Sequence, residues 1–369
     1  MRQASESQRG PRHLAFLLPN LGLGGAERVT LDLARGFAAR GARVDLVLIE
    51  RSGEFLAEVP KEIGVVDLGA KRLRAAIVPL RRYLKEHRPD ALVAAMWPLT
   101  TVAVLAAAGL KDRPRVVVSD HAPLLAQYAD SALATLLLKA SVLTSYRFAD
   151  RIVAVCDGLG TELARLAGLP QGRVTTIYNP IPRPGCSVQA KFPWPKRPVK
   201  RIVSAGRLKP VKCYPLLIEA FAPLARGGDG AVLAILGEGA DRTAIEETAA
   251  RLGISESVLL PGFTRHLADW LREADLFVSA SDYEGFGNVL VEAMHFGLTV
   301  VSTDCPYGPN EVLGNGKWGT LVPSGDAGAL TAAMRAALVC PLDRQAQIGR
   351  ANEFGLERSV EAYRRVLAG

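Results

Sequence analysis

The sequence predicts an α/β protein made of two doubly wound domains, each with a parallel sheet. Its 369 residues exceed the size at which a single hydrophobic core keeps growing. Short β-rich runs alternate with helical segments, and this alternation stops once in a proline-rich stretch and then restarts. Hydrophobic residues make up 49% of the chain and charged residues 22%, so two sizeable cores can form.

Seven apolar runs predict the strands of a first domain, residues 1–180. They are residues 14–18, 44–49, 63–68, 91–96, 115–119, 152–156 and 174–178. Residues 91–110 carry no charge over 20 positions, a length that could span a membrane. Because Trp97-Pro98 divides this stretch, we favour a buried strand followed by a short Ala-rich helix.

A linker is predicted at residues 181–199, because six prolines fall between positions 179 and 200. The second domain, residues 200–369, restarts the alternation, and its last helix is able to pack back on the first domain. Its predicted strands are residues 201–206, 231–237, 257–260, 275–280 and 299–302. Ligands of such sheets bind beyond the carboxyl ends of the strands, so a cleft between two facing domains is the expected site.

Cysteine and charge patterns exclude some classes of protein and suggest a location. The five cysteines form no C-x-x-C or Cys/His cluster, which argues against a disulfide framework and a zinc site and favours the cytoplasm. Residues 71–88 hold seven Lys/Arg and one Glu among apolar residues, which is typical of a helix that contacts anionic membranes peripherally. The alternative is a solvated helix whose apolar side packs on its own sheet. Nothing in the sequence indicates a nucleic-acid module.

Two glutamates flank a predicted helix start in S-D-Y-E-G-F-G-N-V-L-V-E, residues 281–292. Glu284 follows a strand, Asn288 begins a helix, and Glu292 lies one turn further on the same face. The helix N-terminus between the two carboxylates can bind an anion. This order of groups fits the hexose, diphosphate and ribose of a nucleotide sugar. Spacing alone leaves equally open a loop carboxylate and an ordinary helix-face residue.

Basic residues follow the first strand of the second domain in G-R-L-K-P-V-K, residues 206–212. Arg207 and Lys212 could clamp a diphosphate, whereas Lys209 is a weaker candidate. At an effective dielectric near 20, a unit charge 4 Å away contributes roughly 4 kcal/mol, so two cations could act in place of a metal. The alternative is a pair of exposed basic residues with no ligand.

A glycine-rich loop follows the first strand in N-L-G-L-G-G-A-E-R, residues 20–28. Its glycines allow close approach of the backbone to a ligand, and a helix is predicted to start near Ala26. The spacing differs from G-x-G-x-x-G because Glu27 occupies a glycine position. The loop therefore favours a sugar phosphate over a dinucleotide.

Together, G-G-A-E-R, G-R-L-x-x-x-K and E-G-F-G-N-V-L-V-E resemble the retaining nucleotide-sugar glycosyltransferases of family 4 over nearly the whole chain. That family has the GT-B fold of two facing Rossmann-like domains. The resemblance implies that Arg207 and Lys212 bind the donor phosphates, Glu284 the hexose and Glu292 the ribose. It also implies roles for a cleft histidine, two glycines closing from the other domain and a backbone phosphate cradle. The matching residues are His121, Gly24, Gly25, Gly285, Phe286, Gly287, Asn288 and Val289.

The resemblance further implies transfer of a hexose or N-acetylhexosamine from a nucleotide diphosphate sugar, with a UDP-sugar favoured, to a glycan acceptor. The acceptor would belong to polysaccharide, lipopolysaccharide or lipid-linked oligosaccharide synthesis, with retention of configuration and with no cofactor or metal. Residues 305–313, which include Glu311, resemble the branch that transfers galactose-type or N-acetylhexosamine units. Cys213 departs from the family pattern and could crowd the helix start.

Three alternatives to a glycosyltransferase remain open at this level. A glycosidase would use Glu284 and Glu292 as acid and base, but it leaves Arg207 and Lys212 unexplained. A sugar-nucleotide epimerase would convert the donor without glycan growth. A sugar-nucleotide-binding protein would have no turnover to lose when Glu284 is replaced.

Overall fold

The computed structural model describes residues 11–70, 72–183, 185, 194, 199–227 and 230–368. The chain divides into two compact units: an N-terminal unit of Met1–Pro180 with Gly355–Gly369, and a C-terminal unit of Ile181–Phe354. Most of the predicted linker, residues 181–199, lies outside the described residues.

The N-terminal unit contains a seven-stranded, fully parallel sheet in the order β3-β2-β1-β4-β5-β6-β7. The strands are β1 (His13–Leu18), β2 (Arg43–Leu48), β3 (Ile63–Asp67), β4 (Ala91–Ala95), β5 (Arg115–Asp120), β6 (Arg151–Ala154) and β7 (Val174–Thr176). The helices between them are α1 (Gly25–Ala38), α2 (Ile77–His87), α3 (Leu99–Ala107), α4 (Leu124–Gln127), α5 (Ala132–Ser145) and α6 (Asp157–Ala167). Its central strands are buried along their length, as expected for a parallel sheet covered on both faces.

The C-terminal unit contains a six-stranded parallel sheet in the order β10-β9-β8-β11-β12-β13. The strands are β8 (Lys200–Ala205), β9 (Ala231–Leu236), β10 (Val258–Gly262), β11 (Leu276–Ser279), β12 (Thr299–Thr303) and β13 (Thr320–Val322). The helices are α7 (Tyr214–Ala225), α8 (Arg242–Arg251), α9 (Leu267–Glu273), α10 (Asn288–Met294), α11 (Pro309–Val312), α12 (Ala327–Val339) and α13 (Arg344–Asn352).

The last helix, α14 (Leu356–Ala368), belongs to the N-terminal unit although it follows the C-terminal unit in the chain. Its residues Val360 and Tyr363 are buried in the core of the N-terminal unit. A Cβ on Gly36 of α1 would lie 2.6 Å from Cγ2 of Val360, so the absence of a side chain at position 36 lets the two helices meet closely.

The predicted fold class is confirmed, because every predicted strand is present in a parallel sheet. The strand β13 was not predicted, because it offers only two consecutive apolar residues, Leu321 and Val322, before Pro323 ends the run. Residues 91–110 form strand β4 and helix α3, as predicted. None of the helices in the described part of the chain has the length and apolarity needed to cross a membrane.

Candidate active site

The topology of the C-terminal sheet brings the predicted donor residues together. The chain runs outward from β8 to β10 and then returns to the other side of β8 with β11. Ligands of open α/β sheets bind where the strand order reverses, beyond the carboxyl ends of the strands. Arg207 and Lys212 follow β8, and Glu284 follows β11.

An ion pair joins the two predicted ligand-binding loops. Nζ of Lys212 lies 2.5 Å from Oε1 of Glu284, and the exposed fractions of the two side chains are 19% and 14%. The hydroxyl of Ser281 donates a second hydrogen bond to the same oxygen, at 2.7 Å. The carboxylate is therefore held by one cation and one neutral donor.

Hydrogen bonds around the ion pair fix the loops that carry it. The backbone N–H of Asp282 donates to the carbonyl of Val211 at 2.8 Å, which ties the loop after β11 to the loop after β8. The hydroxyl of Thr303 donates to the carbonyl of Ser281 at 2.6 Å. These hydrogen bonds link the loops that follow β8 and β11 to each other and to the end of β12.

Gly206 makes room for the lysine of the ion pair. Its φ is +155°, and a Cβ there would lie 3.1 Å from Cε of Lys212 and 3.1 Å from the hydroxyl of Tyr214. The stem of Lys212 consequently lies over the end of β8. Burial, followed by the negative charge of Glu284, raises the pKa of the Tyr214 phenol, which keeps that hydroxyl neutral.

The predicted phosphate cradle, residues 285–289, covers the turn after Glu284 and the first two residues of α10. Phe286 is 2% exposed and makes an edge contact with Phe354, with ring centroids 5.3 Å apart. Gly287 has φ +88° and precedes the first residue of α10, Asn288. Glycine suits this position because it adopts a left-handed conformation at little cost. Glu292 lies on α10 and is partly buried.

The other basic residues of this region lie at the surface. Arg207 and Lys209 are exposed beyond the end of β8. Cys213 adopts a left-handed conformation, with φ 49°, and its thiol donates to the carbonyl of Pro210 at 3.3 Å. Burial raises the pKa of this thiol to about 12, so Cys213 is an uncharged structural residue at the start of α7.

In the N-terminal unit, the glycine-rich loop leads directly into α1. Gly24 precedes the helix in an extended conformation and Gly25 is its first residue. A Cβ on Gly24 would lie 2.0 Å from Oε2 of Glu27, so the loop and the glutamate pack closely. Arg28 does not belong to the predicted phosphate-binding set. It donates to both carboxylate oxygens of Glu58, at 2.7 and 3.1 Å, and lies over the ring of Phe55.

His121 follows β5 at the carboxyl edge of the N-terminal sheet. Its Nε2 lies 3.3 Å from the hydroxyl of Ser119, which in turn lies 3.0 Å from the hydroxyl of Tyr363 on α14. Burial lowers the pKa of His121 to about 4, and a hydrogen bond with Asn179 opposes this shift. The imidazole is therefore neutral at physiological pH.

Asp120, the neighbour of His121, was not predicted as a site residue. It is fully buried, and its Oδ2 accepts a hydrogen bond from the hydroxyl of Tyr146 at 2.6 Å. That hydroxyl also lies 2.8 Å from Oγ1 of Thr100. Burial raises the pKa of Asp120 to about 6. The sequence shows only an acidic residue at the end of a β-rich run. It does not show that this carboxylate is buried, because the residues that contact it are distant in sequence.

The described part of the basic segment, residues 72–88, forms a short turn and helix α2, in which Leu80, Tyr83 and Leu84 are buried against the unit's own core. Arg81 donates to the carbonyl oxygens of Ala106 and Ala108 beside α3. The apolar side of this segment is therefore covered in part, since Leu73 and Val78 remain exposed.

These features define the GT-B class of glycosyltransferases: two doubly wound units, the second with paired charges at its switch point. The model of Glycosyltransferase Family 4 matches residues 23–183, and that of Glycosyl transferases group 1 matches residues 189–354. The chain belongs to glycosyltransferase family 4.

Several curated proteins are similar to this chain. D-inositol 3-phosphate glycosyltransferase of Gordonia bronchialis is 32% identical over 58% of this chain and 51% of its own length. A 4-alpha-N-acetylgalactosaminyltransferase of Campylobacter jejuni, named for a diphospho-undecaprenol substrate, is 29% identical over 57% of each chain. LpsE of Rhizobium meliloti, named for lipopolysaccharide core biosynthesis, is 30% identical over 61% of this chain and 66% of its own. The chain thus spans about half to two thirds of these relatives.

Solved structures show the same fold. HepE of Anabaena in complex with UDP-glucose superposes with a TM-score of 0.78 at 20% identity, covering 95% of this chain and 97% of its own. The lipopolysaccharide outer core galactosyltransferase WaaB superposes with a TM-score of 0.74 at 19% identity, covering 96% and 98%.

Proposed function

We propose that the protein is a retaining glycosyltransferase that moves a hexose or N-acetylhexosamine from a nucleotide diphosphate sugar to a glycan hydroxyl. The observation that carries this proposal is the pair formed by Lys212 and Glu284 at the switch point of the C-terminal sheet. A cation and a carboxylate side by side match the two ends of an activated sugar, which has a charged diphosphate and a neutral polyol. The UDP-glucose bound to HepE supports UDP as the nucleotide.

Each residue has a distinct role in the proposed reaction. Lys212 turns from Glu284 to the diphosphate and, with Arg207, stabilises the charge on the leaving phosphate. Glu284, once released, accepts hydrogen bonds from hexose hydroxyls, and Glu292 accepts from the ribose diol. The backbone of residues 285–289 and of Gly24 and Gly25 binds the phosphates. Two cations placed in this way supply the charge that a metal would otherwise provide.

The proposed chemistry occurs on one face of the sugar. The bond between C1 and the donor phosphate oxygen breaks, and the acceptor oxygen bonds to C1 on the same side. The departing phosphate oxygen takes the proton of the acceptor hydroxyl, so no protein nucleophile is required. His121 offers a neutral imidazole that can hydrogen-bond to the transferred sugar without adding positive charge.

We propose that the acceptor is a growing glycan of a polysaccharide, a lipopolysaccharide or a lipid-linked oligosaccharide. The names of the Campylobacter jejuni and Rhizobium meliloti relatives support this class of acceptor. Such a substrate favours a cytoplasmic enzyme associated peripherally with the membrane, and the basic side of residues 71–88 supplies positive charge for that contact. The resemblance of residues 305–313 and the N-acetylgalactosaminyl relative favour galactose-type or N-acetylhexosamine units.

Donor binding tests the proposal directly. A panel of UDP-, GDP- and ADP-sugars is added to the purified protein, and the midpoint of thermal unfolding is measured with and without EDTA. A donor at about 100 times its Kd adds roughly 2.7 kcal/mol to the unfolding free energy, so one donor should shift the midpoint clearly. Failure of every nucleotide sugar to shift it would overturn the proposal.

Turnover separates a transferase from the alternatives. Glu284→Ala should lower sugar transfer to a glycan acceptor by about 10² to 10³-fold, whereas the exposed control Glu256→Ala should retain it. Conversion of UDP-hexose in the absence of an acceptor, with no glycan growth when acceptor is added, would indicate an epimerase instead. Donor binding without any turnover would indicate a binding protein.

A further inference from the structure

Helix α5 carries large apolar residues on both its buried side and its solvent-facing side. Leu133, Leu136 and Leu137 are 67%, 63% and 56% exposed. Leu138 and Val142, on the opposite side, are buried in the unit's own structure. A helix that is apolar on all sides is normally covered on all sides, either by protein or by lipid. The exposed side of α5 therefore indicates a surface that binds a partner.

The exposed apolar residues of this protein are concentrated at α5. Eleven large hydrophobic residues in the described part of the chain are exposed, and five of them fall between positions 133 and 148. These five are Leu133, Leu136, Leu137, Leu143 and Phe148. We call them the α5 face. The four leucines recur at the spacing that places residues on one side of a helix, so they form a stripe. Isolated exposed hydrophobics are ordinary, but a contiguous patch marks an interaction surface.

Basic residues flank the C-terminal half of the α5 face, whereas exposed Asp130 precedes its N-terminal end. Lys139 is exposed within the helix, and Arg147 is exposed directly after it. A cavity of about 970 Å³ opens beside α5, and α3 forms its other wall. Its basic lining residues are Arg113, Arg147, Arg151 and Arg173, and its acidic lining residue is Asp150. Leu105, which is 49% exposed, adds an apolar group on α3 to the rim.

We propose that the α5 face is a docking surface for a lipid bilayer with anionic headgroups. The leucine stripe would enter the boundary between headgroups and acyl chains, while Lys139, Arg147 and the arginines of the cavity bind the headgroup phosphates. This combination of an apolar stripe and flanking cations matches the chemistry of an anionic membrane surface. A second copy of the chain fits less well, because a symmetric contact through this face would bring its cations against themselves.

The α5 face and the basic segment 71–88 differ in the number of apolar side chains that they can insert into a membrane. Leu80, Tyr83 and Leu84 of α2 are buried. Leu73 and Val78 are exposed, so this segment offers two large apolar groups, against five on the α5 face. Helix α3 packs between α2 and α5, which places all three helices on one side of the sheet. Basic α2 can therefore strengthen the attraction, but the α5 face supplies the larger apolar contact. This inference deepens the proposed function, on which it rests for the reason why a membrane is needed.

The test measures binding of the purified full chain to vesicles of phosphatidylglycerol and phosphatidylcholine in equal amounts, by co-sedimentation at low salt. The double variant Leu133→Gln with Leu136→Gln should partition at least about tenfold more weakly than the wild type, since two inserted apolar groups are lost. The matched control is Val339→Gln with Leu342→Gln, two exposed hydrophobics of the C-terminal unit, and it should bind like the wild type. Both variants should keep the donor-induced thermal shift.

A charge variant tests the second half of the proposal. Lys139→Gln with Arg147→Gln should bind anionic vesicles several-fold more weakly and should depend less on salt, because the counterion-sensitive part of the attraction is reduced. The proposal is overturned if the wild type ignores anionic vesicles at low salt. It is equally overturned if the leucine variant binds like the control, or if the leucines prove to mediate a dimer in light scattering without vesicle binding.

Failure of this inference and failure of the proposed function give different results. Vesicle binding with no response to any nucleotide sugar would retain the α5 face as a membrane surface and reject the transferase. A donor-induced shift with no vesicle binding would reject the α5 face as a membrane surface and retain the proposed transferase.

Discussion

The candidate residues of the two units occupy equivalent places, at the carboxyl ends of parallel strands. They differ in charge state, because those of the C-terminal unit are charged and paired whereas burial favours the neutral forms in the N-terminal unit. In the C-terminal unit, Lys212 and Glu284 form an ion pair that also has a neutral donor, Ser281. In the N-terminal unit, burial shifts the pKa values of Asp120 and His121 towards their neutral forms. The same sheet edge can thus serve a charged ligand in one unit and uncharged hydroxyl groups in the other.

The difference has a physical origin in the partners that each unit provides. Glu284 meets a cation from a neighbouring strand end, which compensates for partial burial. Asp120 is fully buried, and its hydrogen-bond partners are neutral: the hydroxyl of Tyr146 and the backbone of Trp97. The cost of desolvation therefore dominates. In the proposed function, the first environment binds the charged diphosphate, and the neutral imidazole of His121 hydrogen-bonds to the transferred sugar.

The largest expected effect comes from breaking the ion pair. Lys212→Ala should lower kcat by about 10² to 10³-fold, the usual cost of removing one group that stabilises transition-state charge. Glu284→Ala should lower it comparably, and the double variant should lose much less than the product of the two single losses, because residues that act as a unit are not additive. Steady-state kinetics of the three variants check this. Fully multiplicative losses would contradict a shared role.

The second prediction concerns pH and separates Asp120 from His121. His121 has a lowered folded-state pKa, so the unfolding free energy should fall as pH drops from 6.5 to 4. Asp120 has a raised folded-state pKa, so its contribution should be lost as pH rises from 3.8 to 6. The contribution amounts to at most about 3 kcal/mol for Asp120 and about 3.5 kcal/mol for His121, and the two oppose each other.

Substitution should uncouple these two opposing trends. Between pH 4 and 6, the stability of Asp120→Asn relative to the wild type should rise with pH, whereas that of His121→Asn should fall. Thermal unfolding of both variants at several pH values measures the two slopes, and Asp130→Asn, at an exposed position, is the control. Slopes of equal sign would show that burial does not govern the pair.

The smallest expected effect concerns the glycine beneath Lys212. Gly206→Ala should lower the unfolding free energy by about 1 to 3 kcal/mol and reduce turnover, because φ +155° is unfavourable for alanine and the new methyl group would press on Lys212. Gly349→Ala, within α13 and with no atom within 4 Å of its added Cβ, should instead raise stability by about 0.5 to 1 kcal/mol. Chemical denaturation and activity of both variants distinguish a local effect on the ion pair from a general effect of glycine replacement.

The sequence alone predicted most of the fold. Buried parallel strands are continuous apolar runs, so they were visible without tertiary information, and Asn288 was correctly placed at the start of a helix. Strand β13 was too short to show the same pattern. The sequence left open whether the apolar side of segment 71–88 is covered, since a helix packed on its own sheet and a helix on a membrane share one pattern.

At the candidate site, tertiary structure determined the contacts and the burial of residues that the sequence had selected. Motif resemblance selected Glu284 and Lys212, but their contact joins positions 72 residues apart and depends on the return of β11 to the side of β8. The environment of Asp120 depends on Tyr146, and that of His121 on a chain of hydroxyls leading to Tyr363 on the last helix. Local patterns determine strands, helices and the choice of chemical groups, because these follow from neighbouring residues. Pairing and desolvation, and therefore the charge state of each group, are set only when distant segments pack together.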